Sequence, residues 1–129
     1  MNMNRRTSLK LLGAGGTALL AAWPVAAQAA RPGIVLFDGR FDEARREAVG
    51  WAKQGAMAID TRQEDIGHVW RSVVRDRIAG GPVAVCGVTL YVDQMISARM
   101  GRDLGLRVVH LRTDAASVGL ASLHRWILA

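Results

Sequence analysis

The side chains best suited to chemistry gather in three short stretches: Asp38-Gly39-Arg40, Asp60-Thr61 and Gly87-Val88-Thr89. Each stretch directly follows an apolar run and precedes a segment of helical periodicity. A carboxylate, a guanidinium and hydroxyls at such junctions suit a small polar or anionic ligand. The amides that open the helix after Thr89, with the Thr89 hydroxyl, would form an anion site that Arg40 assists. The same residues also have plain structural roles. Asp38-Gly39 is a turn pair, Thr89 is a helix N-cap, and Gly87 permits close strand–helix packing. The candidate ligand-binding residues are therefore Asp38, Gly39, Arg40, Asp60, Thr61, Gly87 and Thr89, and no catalytic residue is assigned.

The remaining reactive residue types form no recognisable constellation. Cys86 stands alone in an apolar run with no base nearby in sequence, so a core position is expected. His68, His110 and His124 are scattered, and no paired-Cys or His-x-x-x-His spacing marks a metal site. There is no Gly-x-Ser-x-Gly elbow and no phosphate-binding Gly-Lys-Ser/Thr loop. Ser72 and Ser97 fall mid-helix, away from any strand end. Neither a metal nor a cofactor is expected on this chain.

The elements that would position these residues alternate regularly. Ile34–Phe37, Ala56–Ile59, Val83–Val88 and Leu106–Leu111 read as short apolar strands bounded by turn residues. A helix over about 42–54 carries Phe41, Ala44, Ala48, Val49 and Ala52 at helical spacing. A second begins at the capping-box pattern Thr61-Arg62-Gln63-Glu64 and carries Ile66, Val69, Trp70, Val73, Val74 and Ile78 on one stripe. A third, capped by Thr89, has Val92, Met95, Ile96 and Leu104 as its inner stripe. Strand–helix alternation of this kind predicts right-handed βαβ units. The fold class is α/β: a small three-layer parallel sheet, Rossmann- or flavodoxin-like, of order 2-1-3-4, with Val83–Val88 central. Ligands bind such sheets outside the carboxyl ends of the strands, where the candidate residues fall. Leu120, Leu123, Trp126 and Ile127 fit a short helix, and Leu123 to Ala129 reads equally as a C-terminal strand antiparallel to strand four, with the strand preferred.

Residues 1–29 have the three-part plan of an export signal: a basic flank, the mild apolar run Leu11–Ala22, and the small-residue cleavage motif Ala27-Gln28-Ala29. The run is too short to span a bilayer, which takes about 20 residues. Arg5-Arg6-Thr7-Ser8-Leu9-Lys10 resembles the twin-arginine signal family, whose pattern is Ser/Thr-Arg-Arg-x-Phe-Leu-Lys. Arg5, Arg6, Leu9 and Lys10 match, while Asn4 and Ser8 depart. The resemblance implies recognition by the twin-arginine translocase and export of a folded chain to the periplasm. It also implies cargo that binds a cofactor or travels with a cofactor-bearing partner. An uncut leader would instead leave a weak membrane anchor. Gly13-Ala14-Gly15-Gly16-Thr17-Ala18 imitates a dinucleotide fingerprint, but it lies inside the leader and outside any βαβ unit.

Beyond the leader, residues 30–129 form one domain-sized segment of 100 residues. Three of the 17 basic residues lie in the leader, so the remainder carries 14 basic against 11 acidic residues. That balance is too even and too dispersed for nucleic-acid binding. With one cysteine, no internal disulfide can staple the domain. The expected function is an exported accessory or interaction subunit of a cofactor-containing oxidoreductase. The alternative is a small-ligand binder or small enzyme using the loops after strands one and three.

Overall fold

The computed structural model describes residues 32–114 and 122–129. The leader, with Arg5, Arg6, Leu9, Lys10, Ala27 and Ala29, and the fingerprint-like glycines lie outside the described residues. The elements run β1 (Pro32–Phe37), α1 (Asp42–Lys53), β2 (Met57–Asp60), α2 (Ile66–His68), a π-helical segment (Val69–Val74), α3 (Arg75–Ala79), β3 (Ala84–Thr89), α4 (Tyr91–Asp103), β4 (Val108–Thr113) and β5 (His124–Leu128). Among the described residues no helix is long and apolar enough to cross a membrane.

The α/β class and open sheet are as expected, but the strand order is not. The order is β2-β1-β3-β5-β4, and the sheet is mixed. β1 runs parallel to β2 and to β3. β5 lies between β3 and β4 and is antiparallel to both. The expected contiguity of strands three and four therefore fails, although the C-terminal segment is the strand it was expected to be. The reason is hydrophobic. Arg125, Trp126, Ile127 and Leu128 are all buried, whereas β4 is exposed at Val108, Val109, Arg112 and Thr113. The strand that is apolar on both faces takes the inner place, and the strand carrying Arg and His is left at the edge.

Alternation along the strands separates two core layers. On one face, Ile34, Leu36, Val85, Trp126 and Leu128 pack under Val69, Trp70 and Val74. On the other, Val35, Cys86 and Ile127 pack under Ala48 and Trp51 of α1. β3 is buried along its whole length, as its composition predicts. The stripe expected for the second helix is correct: Val69, Trp70 and Val74 are buried, and Ile66, Val73 and Ile78 pack against them. The five-residue step from Val69 to Val74 suits a π turn, which is wider than an α turn. Its start was misplaced, however. The Thr61–Glu64 pattern lies in turns and a bend, and the helix begins at Ile66 with Asp65 as N-cap, accepting from the His68 amide at 2.9 Å.

The two other helices present different faces from those expected. α1 buries Ala44, Ala48 and Trp51, while Val49 and Ala52 point outward. α4 buries Gln94, Ser97 and Gly101, while Val92 and Met95 are exposed. Ser97 is held inside because its hydroxyl accepts from Trp70 Nε1 at 3.0 Å. The polar stripe of α4 thus faces a tryptophan, and part of its apolar surface faces out.

Candidate functional site

The carboxyl ends of β1 and β2 bring five of the seven candidate residues together. Asp38 is fully buried. Its Oδ1 accepts from the Arg40 amide at 3.1 Å and Arg40 Nε at 3.0 Å, and its Oδ2 accepts from Arg40 Nη2 at 2.7 Å. The Asp38 amide donates to the Val88 carbonyl at 3.0 Å, which fastens this loop to β3. Asp60 Oδ1 accepts from the Gly39 amide at 3.0 Å and the Arg62 amide at 2.9 Å. A side chain at Gly39 would overlap the Asp60 carboxylate, so only glycine lets the two loops close in this way. The Thr61 amide donates to the Phe37 carbonyl at 2.8 Å.

Two further residues join this cluster that the sequence reading did not include. Asp93, in the first turn of α4, lies within hydrogen-bonding reach of Thr61 and feels the charges of Asp38, Arg62 and Arg40. Burial chiefly, with the Asp38 charge, raises its pKa above the ordinary carboxylate value, although Thr61 and the arginines act the other way. The Thr61 hydroxyl also lies 3.3 Å from the Phe37 carbonyl. It has one proton, so it serves Asp93 or Phe37 but not both. Asp38 responds oppositely. Burial would raise it, but the Arg40 hydrogen bonds, helped by the charges of Arg40 and Arg62, hold it below its ordinary value. Arg62 directly follows Asp60 and Thr61 in sequence, whereas no sequence spacing links Asp93 to the cluster; the parallel strands bring it there.

Gly87 and Thr89 leave the site for the core. Thr89 belongs to β3, is fully buried, and accepts from Trp126 Nε1 at 3.0 Å while donating to the Leu90 carbonyl at 3.0 Å. Leu90, not Thr89, is the N-cap of α4, and it offers no side-chain cap. Gly87 lies beneath the Trp126 indole, which occupies the space a β-carbon would need. The Thr89 hydroxyl expected to serve an anion is therefore engaged by Trp126 and the Leu90 carbonyl. Cys86 is core, as expected, and burial pushes its thiol pKa well up, away from the reactive thiolate.

The cluster is mostly self-satisfied. Asp38 is neutralised by Arg40, and Asp60 holds backbone amides. Among the described residues no three side chains of metal-ligating type converge on one point. Beside Asp60, a groove of about 500 Å³ runs between β2 and the α2–π segment, walled by Met57, Ile59, Val69 and Val73 with Glu64 and His68 at its lip.

A second region is apolar rather than polar. Eight large apolar side chains are exposed among the described residues, and six lie on α4 and β4: Tyr91, Val92, Met95, Val108, Val109 and Leu111. Tyr91 and Met95 line a groove of about 490 Å³ with Arg99 and Arg102. Leu111 is opposite Trp126 in register and so points to the α4 side of the sheet. The Tyr91 ring meets the His124 ring at 5.7 Å between centroids, which ties the start of α4 to β5.

Arg125 anchors the opposite face and was also missed. It is 3 % exposed, and it bonds Glu47 (Nε–Oε1 2.8 Å), Glu43 (Nη2–Oε1 2.5 Å) and Asp114. Burial opposes its charge, but Glu47 and Asp114 raise its pKa further above the ordinary value. Its glutamate partners are 78 and 82 residues away, beyond any local pattern. Comparison with protein-family models, curated proteins and solved structures returns no match.

Proposed function

We propose that this chain is an interaction subunit that binds a protein partner through the outer face of α4 and the β4 edge. The observation that carries the reading is the concentration of six of the eight exposed large apolar side chains on these two elements. Exposed large apolar side chains concentrated in this way on a small domain favour a contact with another macromolecule. Trp126 itself is buried, and the exposed apolar side chains lie on α4 and on β4, the strand beside it. The strand-end cluster supports this reading from the other side, since Arg40 and backbone amides already occupy its carboxylates.

The leader adds the setting. Its likeness to twin-arginine signals supports export by that translocase to the periplasm, in company with a cofactor-containing oxidoreductase whose cofactor the partner would carry. The test is capture of the C-terminally tagged chain from periplasm, with mass spectrometry and an absorption spectrum of the eluate. A stoichiometric partner bearing a flavin, haem or molybdenum cofactor is expected. The double variant Met95→Glu/Leu111→Glu should lower its recovery by about tenfold or more, and Arg40→Ala should leave recovery unchanged. A colourless chain eluting alone would overturn the reading.

A second reading has its own observation, the groove of about 500 Å³ beside Asp60. Its apolar walls and acidic lip suit a small ligand with an apolar body and a cationic group. Saturable binding of such a ligand, lost in Glu64→Gln, would favour it.

A further inference from the structure

Resting on the α4–β4 reading above, we propose that β4 accepts an extended segment of the partner as a sixth strand, and that this segment carries acidic beside apolar side chains. Among the described residues β4 is an edge, paired only with β5, and it spans six residues against four in the opposite edge strand, β2. An added strand would satisfy its outer backbone groups and take specificity from alternate side chains. The register shift at the start of β4 lies between Val108 and His110, which leaves His110 to Thr113 regularly paired.

Charge selects the occupant. Arg107 precedes β4, Arg112 lies in it, and Arg99 and Arg102 flank Tyr91 and Met95 on α4; all four are exposed. Nearby acids offer little compensation. Asp114 is engaged by Arg125 and faces Arg112, and Asp103 lies at the end of α4. A second copy of the chain paired edge to edge would bring the same arginines together, which opposes symmetric association. An acidic–apolar strand meets both features, because carboxylates pair with guanidinium groups and apolar residues cover Val109 and Leu111.

The experiment is selection from a display library of random twelve-residue peptides against the full chain, followed by hydrogen exchange with the strongest binder. The expected result is enrichment of alternating apolar and acidic residues, with exchange protection of β4 amides. Arg102→Glu/Arg112→Glu should weaken binding by about tenfold. Enrichment without acids, protection elsewhere, or no enrichment would overturn the proposal. So would a dimer of the chain that dissociates in Leu111→Asp. Capture of a whole partner through Met95 and Leu111 without protection of β4 would sink strand addition and leave the interaction reading standing. Peptide binding at β4 with no periplasmic partner would do the reverse.

Discussion

Asp38 and Asp93 lie at neighbouring strand and helix ends yet titrate in opposite senses. Asp38 has a lowered pKa, so its charge stabilises the fold above the unfolded value near 3.8, and that contribution is lost as pH falls through the folded value. Asp93 has a raised pKa, so its ionisation opposes folding as pH rises through the unfolded and then the folded value. Asp38→Asn should therefore lower Tm at pH 7, and Asp93→Asn should raise it. The Asp93 difference should shrink as pH falls below the unfolded value near 3.8, and the Asp38 difference only as pH falls through its lowered folded value. Thermal melts across this range check the two signs. Gly87→Ala is a harsher change, since its methyl would occupy the space of the Trp126 indole. Overpacking of this kind should cost about 3 kcal/mol or more, read as a lower urea midpoint.

At the scale of elements, α4 and β5 show how a partner decides which side of an element is inside. Hydrophobic periodicity placed Val92 and Met95 against the sheet, but Trp70 needs an acceptor and Ser97 supplies it, so the helix is turned to bury Ser97. Substituting Val92 by Ser should consequently change stability by no more than about 0.5 kcal/mol, as for an ordinary surface position. Arg125 behaves in the opposite way. It ties β5 to α1 through Glu43 and Glu47, and to the end of β4 through Asp114. Arg125→Ala would leave these carboxylates without a counter-charge, and because Glu43 and Asp114 keep access to water the cost should be about 1–3 kcal/mol. Equilibrium denaturation of the two variants side by side measures the contrast.

The whole molecule depends on β5, the last strand in sequence and an inner strand in space. It joins β3 to β4 and contributes Trp126, Ile127 and Leu128 to both core layers. A chain truncated before His124 should lose cooperative unfolding and near-ultraviolet signal, because β4 would have no neighbour and β3 would lie open along one side. In a sheet of order 2-1-3-4 the same truncation would remove only an edge strand and leave a folded domain. Circular dichroism of the truncated chain distinguishes the two outcomes.

Much of this was legible in the residues. The strand–helix alternation, the buried central strand, the core cysteine and the stripe from Ile66 to Ile78 follow from local periodicity and apolar content, which act over a few residues at a time. Asp38, Gly39, Arg40, Asp60 and Thr61 could also be grouped, because strands that run parallel must deliver their ends to one edge. Other features rest on contacts between distant residues: the insertion of β5, the Arg125 cluster, the burial of Thr89 under Trp126, and the outward turn of Val92 and Met95. No local propensity encodes which apolar strand wins the inner place, or which helix face meets a tryptophan. Those outcomes depend on the packing of the assembled core, so they were decided only in the tertiary structure.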